Sequence, residues 1–597
     1  MMISQYISTT KVSMAACNFI PPFRSPCPNF QTKIAEIGKT KFFSHVACKA
    51  PCMKWSIDKI LIATTNLSTQ HAYLNGHSFR DEFDIVHRQK LENIKQLLLE
   101  SKEEDPIESL NLINAIQRLT IDHHFQEEID TILRGHYVET STSVYGFSTL
   151  HDVSLLFRLL RQEGYHVPAD VFHDFKGKDG KFKGHLRQDV RGLLELYEAS
   201  QLNLQGEDIL EEAANFSSQI LSERLAELDS EIISHTLMYP YHKSVARLTA
   251  NFYFKNSFEG INGCEKPLKE LASLDFSMVQ RIYQHELLQI SMWWEALGLA
   301  KELKLARNQP TKWYIWSIAA MTDPSLSEER IDLTKSIAFI YFVDDIFDLY
   351  GKPHELTLFA EAINRWEHGA IENLPEYMKI CCKALIDTTN EIGYKIYKKH
   401  GYNPIDSLKK TWASLCNAFL VESKWFASHE LPKADEYLEN GKVSSGVPVV
   451  LVLSFFLTNV VGSTGSSVHL EDISDLIAPV STILRLWDDL GSAKDEQQDG
   501  KDGSFIECYM KEHQGSSIVQ ARDHVNRLIS SEWKRLNKES FRLNQLSASS
   551  ITKASLNVAR MVPLMYSYSD NQRLLILEAH VKSTLFDEIH LDCHLWN

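Results

Sequence analysis

The stretch FIYFVDDIFDLYG, residues 339–351, decides how this chain is read. An apolar run of helical character leads straight into three carboxylates, Asp344, Asp345 and Asp348. On an α-helix, Asp344 and Asp348 stand four residues apart and project about 40° from one another, while Asp345 points roughly 100° away. Two like charges on one helical face repel. The preceding SIAFIYFV, residues 336–343, desolvates that face and raises the cost. A bound cation restores the balance. Oxygen donors alone suit Mg2+ or Mn2+ rather than zinc.

A second acidic face follows in LRLWDDLGSAKDE, residues 484–496. Asp488, Ser492 and Glu496 fall at i, i+4 and i+8, drifting only about 40° per step, so their three oxygens share one side. Arg485 lies on nearly the same side. Upstream, LARNQPTKWYIW (305–316) supplies Arg307, a side chain able to bind phosphate oxygens through a two-pronged contact. A lone DDxxD is as readily a solvated acidic turn. Two acidic faces with arginines beside them describe a clamp for magnesium ions that in turn hold an anion, most naturally a diphosphate, because Mg2+ keeps substrate oxygens in its shell.

The rest of the chain frames that clamp. Its 597 residues carry a net charge of −16 and offer no basic stripe, which excludes nucleic acid as a partner. Leu, Ala, Glu and Lys recur at three- and four-residue spacings, which predicts an all-α protein. The ten cysteines form no CxxC or Cys/His pattern, so free thiols are expected. VPVVLVLSFFLTNVV (447–461) is too short and too interrupted for a membrane span and reads as a buried helix. Residues 1–57 hold seven Lys/Arg, ten Ser/Thr and one acid, Glu36, leaving the remainder at −22. That composition is the signature of an organelle transit peptide, plastid ahead of mitochondrion, the alternative being a plain disordered tail. Residues 58–85 read as a polar linker. Amphipathic helices then run to about 250, in RQKLENIKQLLLE (88–100), HDVSLLFRLLRQEG (151–164), DVRGLLELYEAS (189–200) and DILEEAANFSSQIL (208–221). Gly260, Gly263 and Pro267 mark a boundary. Two domains are expected, 58–260 and 261–597.

DDIFD and DDLGSAKDE resemble the DDxxD and (N/D)DxxSxxxE motifs of plant class I terpene synthases. QRLTIDHHFQEEI (117–129), LARNQPTKWYIW and RMVPLMYSYSDNQ (560–572) extend the resemblance over nearly the whole chain. It implies an N-terminal helical barrel and a C-terminal catalytic helical bundle. It makes Asp344 and Asp348, with Asp345 supporting, ligands of Mg2+, and Asp488, Ser492 and Glu496 ligands of another, three ions in all. Arg307 and Arg485 become diphosphate contacts, and Asp344, Asp348 and Asp488 also contact the substrate through metal. No DxDD is present, so the protonation-initiated class II reaction has no acid.

Two departures shape the expected product. The chain has no Arg-Arg pair, and the family's Arg-x-Arg upstream of DDxxD is Arg307-Asn308-Gln309. Both resemble the TPS-g subfamily, which implies a monomer that ionises geranyl diphosphate and releases mainly acyclic ocimene, myrcene or linalool, with tricyclene open. The alternatives are a linalool/nerolidol synthase that also takes farnesyl diphosphate, and a trans-prenyltransferase, which would need a second DDxxD. Beyond metal and substrate ligands no catalytic acid or base is required. Trp316 and Tyr566 are candidate walls for a carbocation pocket. A break at Gly446-Val447-Pro448 and a lid over 492–503 complete the expectation.

Overall fold

The computed structural model describes residues 77–142, 149–458 (apart from single positions 229, 257, 259, 262 and 305), 469–495, 503–544, 549–567 and 574–587. Within them every regular element is helical, save one isolated bridge between Lys176 and Phe182. Residues 1–57, read as a transit peptide, lie outside.

The N-terminal helices are α1 (His77–Glu104), α2 (Pro106–Arg118), α3 (Gln126–Thr142), α4 (Leu150–Gln162), α5 (Val190–Ser200), α6 (Asp208–Leu228), α7 (Glu231–Met238) and α8 (Ala246–Lys255). Their starts are legible: Asp105 accepts from the Ile107 N–H, with Pro106 in the first turn, and Thr149 accepts from the Asp152 N–H. Helix α1 begins at His77, inside the segment read as a linker. Its start, HSFRDEFD, is too polar to show an apolar stripe but is built largely of residues that tolerate helix.

These helices enclose a core that includes Ile116, Phe125, Phe157, Leu160, Phe172 and Leu196. Charges buried beside it are matched. Arg118 pairs with Glu198 at 3.1 Å and Arg158 with Glu195, and the Asn114 amide oxygen accepts from both arginines at 2.8 Å. Buried pairs of this kind survive only when each remaining donor and acceptor is met.

The second body comprises α9 (Glu265–Leu297), α10 (Leu299–Glu302), α11 (Pro310–Ala320), α12 (Ser327–Asp345), α13 (Pro353–Arg365), α14 (His368–Ile371), α15 (Glu376–His400), α16 (Ile405–Ser428), α17 (Ala434–Ser444), α18 (Val447–Thr458), α19 (Ser474–Asp495), α20 (Phe505–Glu512), α21 (Ile518–Asn544), α22 (Ser549–Tyr566) and α23 (Leu575–Leu585). Trp313, Phe342, Trp412, Leu451 and Ile483 lie in its core. Burying each large apolar side chain contributes about 1.5–3 kcal/mol. Apolar α18 is sunk in this core.

Helix α9 belongs to both cores: Leu268, Leu271 and Ala272 pack on the N-terminal cluster, and Val279 to Trp294 on the other. A polar seam joins the bodies. Asn537 on α21 donates to the carbonyls of Gln201 and Asn203 at 3.1 and 3.0 Å and meets His242 Nε2 at 2.8 Å. Arg560 donates to the His242 carbonyl at 2.8 Å.

Candidate active site

Helix α12 carries the first acidic motif at its C-terminal end. The α-helix stops at Asp345, and Ile346–Tyr350 continue as a single π turn, closed by the Gly351 N–H on the Ile346 carbonyl at 2.9 Å. The continuous α-helix assumed for the i, i+4 relation of Asp344 and Asp348 is therefore corrected to a helix end plus a wide turn. Gly351 follows the turn in tight quarters. A Cβ there would stand 2.1 Å from Leu356 Cδ2, so any larger residue would have to displace the buried Leu356 side chain at the start of α13. Asp344 is half-buried and Asp348 exposed on the turn, whereas Asp345 is buried.

Arg307, in the loop before α11, folds back onto this end. Its backbone N–H and Nε donate to the two Asp345 oxygens at 2.6 and 2.7 Å, and Nη2 reaches Asp344 and, at 3.3 Å, the Tyr341 carbonyl. Burial works against the Arg307 charge, but Asp344 and Asp345 outweigh it and hold the guanidinium above its ordinary pKa. Burial pushes the Asp345 carboxyl up to about 6, against the pull of Arg307 and with the charge of Asp344. Asp345 thus grips Arg307 rather than facing open space. Asn308 accepts from Trp294 Nε1 at 2.9 Å, and the Gln309 amide oxygen is buried with no hydrogen-bond partner among the described residues.

On α19, Arg485 is buried. Its Nη2 donates to Ser444 Oγ at 2.9 Å, its Nε to the Gly441 carbonyl at 3.5 Å, and its Nη1 to Asp488 at 3.5 Å. Glu422 accepts from Ser444 at 2.5 Å, closing the support from α16. Gly441 is required here, since a Cβ would stand 2.9 Å from Arg485 Cγ. Asp488 is partly exposed, while its neighbour Asp489 is buried and accepts from the Tyr437 hydroxyl at 3.0 Å and the Phe505 N–H at 2.9 Å. Of the adjacent pair, then, the second carboxylate ties α17 and α20 to α19. The Ser492 side chain, Glu496 and most of the segment read as a lid lie outside the described residues.

Beside the first motif sits a residue that sequence reasoning missed, Tyr341. Its hydroxyl accepts from Trp316 Nε1 at 3.2 Å, and Arg307 lies over its ring at 4.9 Å from the centroid. Burial raises its pKa, and the charges of both Asp488 and Asp344 act on it in the same direction. Its position three residues before Asp344 is a helical-face signal that could have found it. Between the two acidic helices, α17 and α18 are separated at Ser445-Gly446. Gly446 takes φ +74°, and a Cβ on it would stand 2.6 Å from Ile340 Cγ2, so the break sits directly against α12. Trp316 is buried beside this cluster, and Tyr566 is half-buried at the end of α22.

The donor set fits a hard divalent cation. Asp344, Asp348 and Asp488 offer oxygen only, and carboxylates exceed the arginines that accompany them.

A two-body helical fold with paired acidic helices is the architecture of terpene synthases, and the chain belongs to that family. Residues 64–239 match the terpene synthase N-terminal domain and 295–535 the family's metal-binding domain. Its relatives include the chloroplastic tricyclene synthase 1e20 of Antirrhinum majus, 49% identical over 96% of this chain and 99% of that one. An (E)-nerolidol synthase of Cannabis sativa is 48% identical over 85% and 94%. Among solved structures, isoprene synthase from grey poplar in complex with three Mg2+ ions and dimethylallyl-S-thiolodiphosphate superposes with a TM-score of 0.74, at 34% identity over 85% of this chain and 98% of that one. The chain is thus a terpene synthase, a lyase acting on prenyl diphosphates.

Proposed function

We propose that this chain is a magnesium-dependent monoterpene synthase that ionises geranyl diphosphate and releases diphosphate and a mainly acyclic C10 product. One observation carries the reading: Arg485, beside Asp488, packs on Gly441 and Ser444, and Ile340, on the helix of Asp344, packs on Gly446, so both acidic motifs flank the same break between α17 and α18. Asp344 and Asp348 would hold metal on one side, and Asp488, Ser492 and Glu496 on the other. Bound divalent cations supply positive charge against the departing diphosphate.

The chain's own residues do the rest. Arg307 and Arg485, each fixed by buried partners, present guanidinium charge to the diphosphate oxygens as the C–O bond breaks and the leaving group takes the electron pair. The aromatic faces of Trp316 and Tyr341 and the apolar side of α18 exclude bulk water and tolerate the allylic cation. Loss of a proton to a weak base gives ocimene or myrcene; capture of one water, with loss of its proton, gives linalool.

The absence of an Arg-Arg pair and of a second arginine at Gln309 supports an acyclic outcome. The tricyclene synthase relatives, named chloroplastic, support a C10 substrate and a plastid address for residues 1–57. The two family matches, 64–239 and 295–535, support two domains divided between residues 239 and 295. The nerolidol synthase relative supports the second reading, turnover of farnesyl diphosphate as well. Protein lacking about the first 50 residues, the span set by its transit-like composition, is incubated with Mg2+ and each diphosphate in turn, and the volatiles are identified. Acyclic monoterpenes from geranyl diphosphate are expected. No turnover of either substrate overturns the proposal.

A further inference from the structure

Far from the acidic helices, three imidazoles converge on one carboxylate oxygen. Asp275 Oδ1 on α9 lies 2.7 Å from His124 Nε2, 3.6 Å from His123 Nε2 and 3.9 Å from His87 Nε2. His87 comes from α1, and His123 and His124 from the 3-10 turn Asp122–His124. The donor atoms of His87, His124 and Asp275 all lie within 4.8 Å of one another. Asp323, whose charge acts on His123, precedes the N-terminus of α12. Asp344 is at the opposite end of that 19-residue helix, about 27 Å away along its axis.

One carboxylate oxygen cannot serve three imidazole donors well. His124 takes the short hydrogen bond, and His123 Nε2 is buried with no hydrogen-bond partner among the described residues. A metal ion resolves this crowding. Metal–nitrogen bonds of about 2.0–2.1 Å place tetrahedral donors roughly 3.4 Å apart. The distances on Asp275, 2.7 to 3.9 Å, bracket that spacing, so small side-chain shifts suffice. Asp275 and His87 are buried, while the His123 and His124 side chains keep 25% and 23% exposure, which leaves an entry side. Arg247 also faces Asp275, as a charge-balancing neighbour of the carboxylate.

We propose that His87, His124 and Asp275, with His123 beside them, bind a first-row transition metal ion, Zn2+ by donor chemistry, which staples α1 and the 3-10 turn to α9. Two imidazoles and one carboxylate select this class of ion, whereas the oxygen-only set on α12 and α19 selects Mg2+. The chain then carries two metal sites of opposite preference, one for substrate and one for architecture.

The test uses metal-free, tag-free protein with excess Mg2+ present, so that the acidic pocket holds its own ion. Zinc is titrated and counted, and Co2+ serves as a visible-band probe. The expected result is about one Zn2+ per chain with a raised thermal midpoint. Both effects are lost in His87→Gln, whose Mg2+-dependent kcat stays within about twofold of the parent. Equal zinc content in His87→Gln, or zinc lost in Asp344→Ala instead, overturns the site. If His87→Gln does not fold, acylation of the parent by diethyl pyrocarbonate decides: Zn2+ must protect His124, whose side chain keeps 23% exposure, and unchanged modification of His124 refutes the proposal.

Discussion

Two buried charge clusters in this molecule are built to opposite plans. In the N-terminal body, Arg118, Arg158, Glu195 and Glu198 number two cations and two anions, with Asn114, the Tyr253 hydroxyl, Gln162 and the Tyr241 N–H as further partners. At the ends of α12 and α19, Asp344, Asp345, Asp348, Asp488 and Asp489 outnumber Arg307 and Arg485. The first cluster is complete as folded, and its charges contribute to structure. The second carries surplus negative charge at a partly exposed helix end, which a cation from outside would balance.

Breaking each cluster tells them apart. Glu195→Ala leaves Arg158 buried without its counter-charge and is expected to cost about 3–5 kcal/mol of stability. Chemical denaturation measures the loss, while kcat per folded molecule holds. Asp344→Ala reverses the pattern: kcat/KM falls about 10²–10³-fold with little change in the denaturation midpoint. If Asp344→Ala keeps a tenth or more of the parent's activity, the metal role of the α12 motif is wrong.

A smaller effect separates charge from shape. Arg485→Lys keeps the cation but loses the planar contact that joins Ser444, Gly441 and Asp488. A loss of about tenfold in kcat/KM is expected, read from steady-state kinetics at saturating Mg2+. An unchanged rate would mean that only the charge counts there.

Acid sharpens the contrast most gently. Burial holds His242 down to about 3 and His580 down to about 4. Both stay neutral in the fold, while the unfolded chain takes protons near 6.5. Stability is full above pH 6.5 and declines as pH falls toward 4, by about 1.4 kcal/mol per pH unit for each group. His242→Gln should flatten the midpoint-against-pH curve in that window.

Much of this was legible in the sequence. Acidic residues at helical spacing after an apolar run are a local signal, and so are α-helix caps such as Asp105 and Thr149. The supports of the acidic residues were not legible. Arg307 reaches Asp345 across 38 positions because a loop folds back, and Glu422 reaches Arg485 through Ser444 from two further helices. Spacing puts Asp488 on the face of Ser492 and Glu496, but that Asp489 is buried against Tyr437 and Phe505 is a tertiary fact no spacing shows. The π turn was hidden for a different reason: apolar spacing does not distinguish an i+5 closure, Gly351 N–H on the Ile346 carbonyl, from one more α turn. The convergence on Asp275 is likewise tertiary, since His87 and Asp275 are 188 residues apart in the chain.

Helix α9, with one end in each core, bears on the order of events at the ribosome. The N-terminal helices emerge first, yet Leu268, Leu271 and Ala272, which close their core, are made only after residue 260. A nascent chain paused at that point presents an apolar gap where α9 will lie, a surface for chaperones to cover. Once α9 is made, its far half waits for partners still unsynthesised. The early body is therefore completed by the first piece of the late one, and a fragment cut near residue 260 would be born with an open wound rather than as a finished domain.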